Sequence, residues 1–329
     1  MRLDRFMAAC NAHYYATRDP FGRGGDFITA PEIFQGFGEC LGLWAAAVWQ
    51  DMGRPETVLL AELGPGRGTL MADALRAIRR AAPGFAACLS VHFIETSPRL
   101  RAAQRARVPG ARFHDAPEAL PALPAIVIAN EFLDALPVRQ LVRREGGWAE
   151  RFLDASLAPV ELPAPPPAET PDLAALAPAT WIELAPAAGA LAASVAQRTL
   201  AHGGAALLID YGYAGPGTGT TLQALRGHRA QDPFADPGEA DLSAHVDFGA
   251  IGRIARAAGA TPHGPVPMGT FLGAIGLPAR AEALARANPA RAGALLAAAA
   301  RLLSAAHMGT LFKAMAICHP SLPRPPGFA

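Results

Sequence analysis

The sequence has little of what marks several large classes of protein. Its four cysteines are scattered without a C-x-x-C pair, which disfavours both a disulfide framework and a zinc site. Its 29 basic side chains balance 28 acidic ones, so no basic excess predicts a nucleic-acid surface. No apolar run is long enough to predict a membrane span. We therefore expect no metal, nucleic acid or membrane among its partners.

The first residues also carry no recognisable targeting signal. The segment Met1–Phe6 lacks the apolar core of a secretory signal peptide. It contains an acid, Asp4, which is atypical of a transit peptide. Scattered cysteines fit a reducing compartment. From these features we expect a soluble protein in the cytoplasm.

The most informative segment is Glu62–Gly68, with the sequence Glu-Leu-Gly-Pro-Gly-Arg-Gly. It follows the apolar run Val58–Ala61 and precedes Thr69–Leu75, an order that predicts a strand, a glycine loop and a helix. Glycines permit tight turns and let a ligand approach the main chain. The leading acid, Glu62, would repel a pyrophosphate but suits a cationic amino-acid tail. S-adenosylmethionine (SAM) has such a tail and no phosphate, so we predict SAM as the cofactor.

Apolar strands alternate with helices along the chain, which predicts an α/β fold with a mainly parallel, doubly wound sheet. The predicted strands cover residues 58–62, 89–95, 111–114, 125–129, 205–211 and 308–318. The predicted helices cover residues 31–49, 187–201 and 247–258, with further Ala-rich helices over 270–306 that break at Pro278. The cofactor is expected outside the carboxyl ends of strands one, two and four.

Two interruptions of this alternation set the predicted domain organisation. The segments Val138–Arg144 and Trp148–Leu153 flank a Glu-Gly-Gly turn and predict a β-hairpin. The Pro/Ala-rich residues 159–178 predict a surface loop, and a long loop follows Tyr213. We predict an N-terminal helical and lid segment over 1–56 and a cofactor-binding core over 57–137 and 181–318. A hairpin and Pro-rich insertion covers 138–180, and further loop and helical insertions lie within 213–306.

Polar residues at the strand ends are candidate cofactor contacts. Glu95 ends the second strand, where an acid can accept hydrogen bonds from both ribose hydroxyls. Asp115 follows the third strand and could bond the adenine amine, although Asp at a strand end also serves turns. The glycine-hinged residues 24–29, with Gly25 and Thr29, could fold over the cofactor as a lid; an ordinary turn is the alternative.

A polar cluster, Asn130–Pro137, directly follows the fourth strand. Asn130 could contact the cofactor, and Glu131 and Asp134 could face the substrate as catalytic residues. Methyl transfer is an in-line displacement that needs an aligned nucleophile, and two carboxylates suit a guanidinium, whose planar fork they can grip. The alternative is that Asn130 and Asp134 only cap a helix.

Several segments together resemble the MidA-like family of SAM-dependent methyltransferases, which includes the mitochondrial protein arginine methyltransferase of respiratory complex I assembly. The glycine loop alone is common among methyltransferases, whereas its combination with the other segments is much more specific. The matching segments are Tyr14-Tyr15, Gly25–Ile33, Glu62–Gly68, Asn130–Val138, Asp210–Tyr213, Leu225–His228, Asp232-Pro233, Pro237–Asp241, His245–Phe248 and Met308–Lys313.

This resemblance implies a class I SAM-dependent methyltransferase fold, a Rossmann-like doubly wound sheet with an antiparallel last strand and with β-hairpin and helical insertions. It implies a protein substrate that presents an arginine, with a respiratory complex I subunit as the acceptor. Carried over by position, Gly64, Gly66, Gly68 and Glu95 contact the cofactor, and Gly25-Asp26-Phe27 lies near the site.

Two other functions remain open, and a third is disfavoured. The chain could methylate a small molecule, if residues 159–178 and 270–306 closed a pocket. It could be a non-catalytic assembly chaperone that keeps the cofactor fold and binds partners through the hairpin over 138–153. Because exposed hairpins often pair, a homodimer is also open. A nicotinamide dehydrogenase is disfavoured by Glu62 and by the glycine spacing.

Overall fold

The computed structural model describes residues 1–18, 29–166, 177–215 and 217–328 of the chain. The helices are α1 Leu3–Thr17, α2 Ala30–Ile33, α3 Gln35–Asp51, α4 Thr69–Ala81, α5 Pro83–Cys88, α6 Pro98–Arg107, α7 Pro186–His202, α8 Phe248–Ala257, α9 Met268–Ala274, α10 Leu277–Ala287, α11 Ala292–Leu303 and α12 Met308–Leu311. The strands are β1 Val58–Leu63, β2 Leu89–Ile94, β3 Arg112–His114, β4 Ala125–Asn130, β5 Arg139–Arg144, β6 Gly147–Leu153, β7 Pro159–Ala164, β8 Trp181–Leu184, β9 Gly204–Tyr213, β10 Gln223–Arg226, β11 Arg229–Gln231, β12 Asp241–Ser243, β13 Val246–Asp247, β14 Thr261–Pro267 and β15 Phe312–Cys318.

The main sheet has the strand order β14-β15-β9-β4-β1-β2-β3, and the short β13 pairs with the end of β9. Strands β3, β2, β1, β4 and β9 run parallel to one another. The last strand, β15, runs antiparallel to both of its neighbours. The predicted class I sheet with an antiparallel last strand is therefore confirmed.

Helices cover both faces of this sheet, which is why its central strands are continuous apolar runs. All six residues of β1 and all six of β4 are buried. Val58 and Leu60 of β1 join the hydrophobic cluster under α3, α4 and α9 to α11. Leu59 and Ala61 alternate with them and join the cluster under α7 and α8.

Two small antiparallel sheets are built from the insertions. The predicted hairpin is present as β5 and β6, within a four-stranded sheet of order β7-β6-β5-β8. Its strand β7 lies where a surface loop was predicted; an edge strand tolerates the prolines that suggested the loop. The long loop predicted after Tyr213 contains a second sheet of order β11-β10-β12.

Several predicted boundaries were wrong for identifiable reasons. The helix predicted over 31–49 is two helices, because Phe34 is extended at φ −150° and buries its ring. The break assigned to Pro278 lies at Gly276, and Pro278 sits in the first turn of α10, where proline is tolerated. The final strand begins only at Phe312, after the short α12. Strand β14 was not predicted, because it contains three prolines.

Among the described residues, one stretch is long and apolar enough by composition to cross a membrane, namely Pro289–Leu311 with a mean hydropathy of 1.3. The expectation that no run reaches this length was therefore wrong. The stretch is not one continuous helix, because α11 ends at Leu303 and Ser304 is extended. Leu302 and Ala299 of α11 pack into the hydrophobic cluster of the main sheet.

Candidate active site

A cavity of about 360 Å³ lies at the carboxyl edge of the main sheet. Its walls are the glycine loop after β1, the ends of β2 and β4, one face of α1, and the residues around α2. This is the position predicted from the strand order. The predicted site residues that line it are Thr29, Glu62, Gly64, Gly66, Glu95, Asn130 and Glu131.

The backbone conformation of the glycine loop would be strained for any residue other than glycine. Gly64, Gly66 and Gly68 have φ values of +59°, +52° and +75°. A Cβ on Gly64 would also lie 2.6 Å from the Cδ2 atom of Phe132, inside any normal contact distance. Two of the three predicted glycines line the cavity, and Gly68 forms the N-cap of α4 behind it.

Glu62 lies near the end of β1, and its buried carboxylate lacks hydrogen-bond partners among the described residues. The residue is 3% exposed, and its Oε2 atom has no hydrogen-bond partner among the described residues. Burial raises the pKa of Glu62 to about 8. A carboxylate in this position is stabilised by a cation that enters the cavity.

Glu95 is held in a fixed orientation at the end of β2. Its Oε1 atom accepts a hydrogen bond from the Ser97 backbone N–H at 2.8 Å, and its Oε2 atom accepts one from Gln104 Nε2 at 3.0 Å. Gln104 Nε2 also donates to the Gly66 carbonyl oxygen at 2.7 Å. Gln104 therefore ties the acid to the glycine loop, a link that sequence reasoning missed because Gln104 lies on a separate helix.

Asp115 does not line the cavity: its side chain is 84% exposed, and it forms an ion pair with Arg101 at 2.7 Å. A bond from Asp115 to adenine stays a prediction, without support from this geometry. Gly25 lies outside the described residues.

The segment after β4 carries the two predicted catalytic acids on an unusual backbone. Glu131 has a φ of +51°, in the left-handed region that non-glycine residues seldom adopt. Its Oε1 atom accepts hydrogen bonds from the Ala30 backbone N–H at 3.1 Å and from Asn130 Nδ2 at 3.0 Å. Burial, together with the charge of Asp134, raises the pKa of Glu131 to about 7.

Asp134 points away from bulk solvent and is partnered by a tyrosine. The Tyr211 hydroxyl donates to its Oδ2 atom at 2.5 Å, while its Oδ1 atom has no partner among the described residues. Burial raises the pKa of Asp134 to about 6. Asp134 does not cap a helix in this structure, because no helix begins there.

Asp210, at the end of β9, positions this segment. Its Oδ2 atom accepts hydrogen bonds from three successive backbone N–H groups, those of Phe132, Leu133 and Asp134, at 3.1, 2.9 and 3.2 Å. Such a triple contact fixes the loop that carries Glu131. The predicted strand over 205–211 brings Asp210 to the same edge of the sheet, but no sequence pattern predicts these hydrogen bonds.

The first helix, α1, lies within the predicted N-terminal helical and lid segment and lines one side of the cavity. Asn11 of α1 donates to the carbonyl oxygens of Ala135 and Leu242 at 2.9 and 2.8 Å. The hydroxyl of Tyr15, also on α1, donates to Asp241 Oδ1 at 2.8 Å. These contacts fasten α1 to the loop after β4 and to the second small sheet.

The cavity and its surroundings are dominated by buried acids. Among the described residues, no Arg or Lys forms an ion pair with Glu62, Glu131, Asp134 or Asp210. Burial, and then the charges of Asp134 and Glu131, raise the pKa of Asp210 well above its ordinary value. No group of three or more potential ligands in the described part of the chain could hold a metal ion. The arrangement selects cationic organic groups.

Comparisons with known proteins agree with this chemistry. A family model of S-adenosyl-L-methionine-dependent methyltransferases matches residues 40–266. The chain is 36% identical over 351 residues to the mitochondrial protein arginine methyltransferase NDUFAF7 homolog of Drosophila melanogaster, covering 93% of this chain and 78% of that protein. It is 34% identical over 313 residues to the protein arginine methyltransferase NDUFAF7, mitochondrial, of Homo sapiens, covering 82% of this chain and 68% of that protein.

A solved structure is similar over almost the whole chain. It is a COG1565 superfamily member from Burkholderia thailandensis bound to S-adenosyl-homocysteine, with a TM-score of 0.82 and 28% sequence identity. The match covers 99% of this chain and 89% of that one. One expectation is overturned by the comparisons: a cytoplasmic location, inferred from the first residues, conflicts with relatives that are named as mitochondrial proteins.

Proposed function

The chain belongs to the family of SAM-dependent methyltransferases, and from this premise we propose that it methylates an arginine side chain of a protein. The observation that carries the proposal is a set of acids that have no basic partner among the described residues: Glu62 and the half-buried Glu131, which line the cavity, and the buried Asp134 on the same segment as Glu131. An arginine guanidinium is the cationic acceptor that a pair of carboxylates grips best. The relatives are named as protein arginine methyltransferases.

The residues of the cavity fit SAM. The unpartnered Oε2 atom of Glu62 suits the ammonium group of the cofactor, and the left-handed glycines leave the main chain open to it. Glu95, oriented by Ser97 and Gln104, suits the two ribose hydroxyls. When bound, SAM supplies an electrophilic methyl group on a positively charged sulfur.

The two acids after β4 have distinct roles in this proposal. Glu131 borders the cavity and holds the guanidinium in line with the incoming methyl group. Methylation of a guanidinium releases one proton, and a carboxylate whose pKa is about 7 can accept it. Asp134, bonded to Tyr211, holds negative charge beside the substrate cation.

The acceptor is proposed to be a subunit of respiratory complex I. This part of the proposal is supported only by the resemblance of the sequence to the complex I assembly methyltransferases. Methylation of a purified complex I subunit, absent when the enzyme carries Glu131→Gln, tests it. An unmodified subunit would leave arginine methylation in place and remove this acceptor.

The enzymatic proposal is tested with arginine-containing peptides and SAM, by mass spectrometry. We expect a mass gain of one or more methyl groups on arginine, and a loss of at least 100-fold in kcat for Glu131→Gln with SAM affinity retained. The matched control is Glu145→Gln on the exposed hairpin turn. Full activity of Glu131→Gln would remove the proposed role, and methylation restricted to small molecules would favour the alternative enzyme.

A further inference from the structure

A second cavity, of about 750 Å³, lies beside the cofactor cavity and has no role in the reaction described so far. It is enclosed by the end of β8, the first turn of α7, one face of α8 and the residues around β13. Its size is within the range of sites that bind organic groups, and it is larger than one side chain requires.

The two cavities share one wall, the segment from Asn130 to Val138. Glu131, Phe132 and Leu136 line the cofactor cavity, whereas Leu133 and Val138 line the second cavity. This wall is rigid, because the Asp210 carboxylate holds three of its backbone N–H groups and Asn11 holds the Ala135 carbonyl oxygen. The two cavities therefore lie on either side of one anchored chain segment.

The second cavity has an apolar lining, to which Leu133, Ile182, Leu184, Ile251 and Ile254 contribute. Apolar side chains on both sides of an opening of this size leave a surface that is stabilised when another apolar group covers it.

The acidic groups that line the second cavity have partners within the chain. Glu183 accepts hydrogen bonds from the backbone N–H groups of Thr221 and Leu222 at 3.0 and 3.2 Å. Asp247 accepts one from the Ala250 backbone N–H at 2.9 Å, and the nearby Arg253 offsets its charge. Burial lowers the pKa of His245, which disfavours its cationic form. No charged ligand is needed to satisfy these groups.

We propose that the second cavity receives a large apolar side chain, aliphatic or aromatic, from the same polypeptide that presents its arginine to Glu131. This inference rests on the proposed function and adds a specificity determinant to it. An extended chain advances about 3.3 Å per residue, and backbone layers that pack through their side chains lie about 10 Å apart. The apolar residue therefore lies about three positions from the arginine.

The test is a peptide series with one arginine in a Gly/Ser background and one Phe moved from one to six positions away on either side. We expect KM to fall by about 10- to 100-fold when Phe stands two to four positions from the arginine on one side, because a large apolar side chain is buried. The value of kcat should change little. A flat dependence on the position of Phe contradicts the inference.

Variants that fill the second cavity with a larger side chain provide a second test of the inference. Ala190 of α7 and Ala257 of α8 line the cavity and are exposed at its rim, so Ala190→Trp and Ala257→Trp should leave the fold intact. Each should abolish the KM advantage of the Phe peptide while leaving KM for the Phe-free peptide and the SAM affinity unchanged. Ala187→Trp, an exposed position on α7 that does not line the cavity, is the matched control.

The outcomes separate the inference from the proposed function. Equal KM changes for both peptides in the filled variants, or no change for either, overturn the assignment of the cavity while arginine methylation stands. Methylation of no arginine peptide by the wild-type enzyme overturns the proposed function, and the assignment of the cavity with it. Occupation by a free apolar small molecule would appear as inhibition by that molecule without any preference for Phe.

Discussion

Two buried carboxylates on neighbouring elements of this fold differ in what neutralises them. Glu39 of α3 accepts hydrogen bonds from Arg76 Nη2 at 2.9 Å and from Arg280 Nε at 2.6 Å. Burial alone would raise the pKa of Glu39, but these two arginines outweigh it and lower the pKa. Glu62 is equally exposed, at 3%, and has no such partner in the part of the chain that the structure describes, so its pKa rises to about 8.

This difference in partners distinguishes an acid that stabilises the fold from one that is available to bind a ligand. The counter-charge of Glu39 belongs to the chain, so Glu39 joins α3, α4 and α10 into one unit. The counter-charge of the ionised Glu62 must come from outside, so the folded chain carries a cost that either a proton or a cationic ligand removes. Burial alone does not distinguish Glu39 from Glu62, whereas the basic partners of each carboxylate do.

The largest expected effect comes from removing the charge of Glu62. We expect Glu62→Gln to weaken SAM binding about 100-fold, because a buried charge pair between protein and ligand is lost. Isothermal titration with SAM measures it. Unchanged affinity would show that the cofactor ammonium lies elsewhere.

The same variant should be more stable than the wild type when no ligand is bound. The folded-state pKa of Glu62, about 8, exceeds its ordinary value of 4.5, so the protonated form is favoured by folding. Its contribution to stability is complete below about pH 4.5 and is lost as the pH rises through 8. Thermal unfolding should therefore give Glu62→Gln the higher Tm at pH 8, with the difference vanishing towards pH 5. A pH-independent difference contradicts this account.

An intermediate effect, with the opposite pattern, is expected for Glu39→Gln. Loss of this carboxylate leaves Arg76 and Arg280 facing each other and should lower the free energy of unfolding by about 2 kcal/mol. The value lies below that for a fully buried pair, because the two arginine side chains are 51% and 36% exposed. Urea denaturation measures it, and SAM affinity should stay unchanged. A selective loss of SAM binding by Glu39→Gln would contradict the assignment of Glu39 to the fold and Glu62 to the ligand.

The smallest effect is expected at Gln104, which orients Glu95 without touching the cofactor. Gln104→Met should keep the packing volume, remove two hydrogen bonds and weaken S-adenosyl-homocysteine binding about 10-fold. An analogue without the two ribose hydroxyls should bind the variant and the wild type equally. An equal loss for both ligands would indicate a general disturbance of the glycine loop.

The parts of the fold that could be predicted are those encoded by local pattern. The run Val58–Ala61 and the glycines after it specify a strand and a loop within a dozen residues, and β1, the loop and α4 follow that order. Strand β14 and the small strands β10 to β12 could not be predicted, because prolines or short length hide them and their pairing partners decide their structure.

The site residues that could be predicted from the sequence are those at the ends of strands. Glu62, Glu95 and Glu131 follow apolar strands, and the topology brings them to one edge of the sheet. The groups that hold them in place were not predictable: Asp210 lies 76 positions or more from the amides that it binds, and Gln104 lies on α6. Contacts of this kind depend on the folded arrangement and leave no periodic trace in the sequence.

The left-handed backbone at Glu131 makes this residue a liability in any selection for heat resistance alone. A φ of +51° costs a non-glycine residue about 1 kcal/mol, and the buried carboxyl adds its own desolvation. Glycine would remove both costs, so a laboratory evolution experiment that rewards only survival on heating should replace Glu131 early. A lineage that also has to methylate its target cannot make that exchange. How often glycine arises at this position thus measures, without an enzyme assay, whether the acid is kept for chemistry.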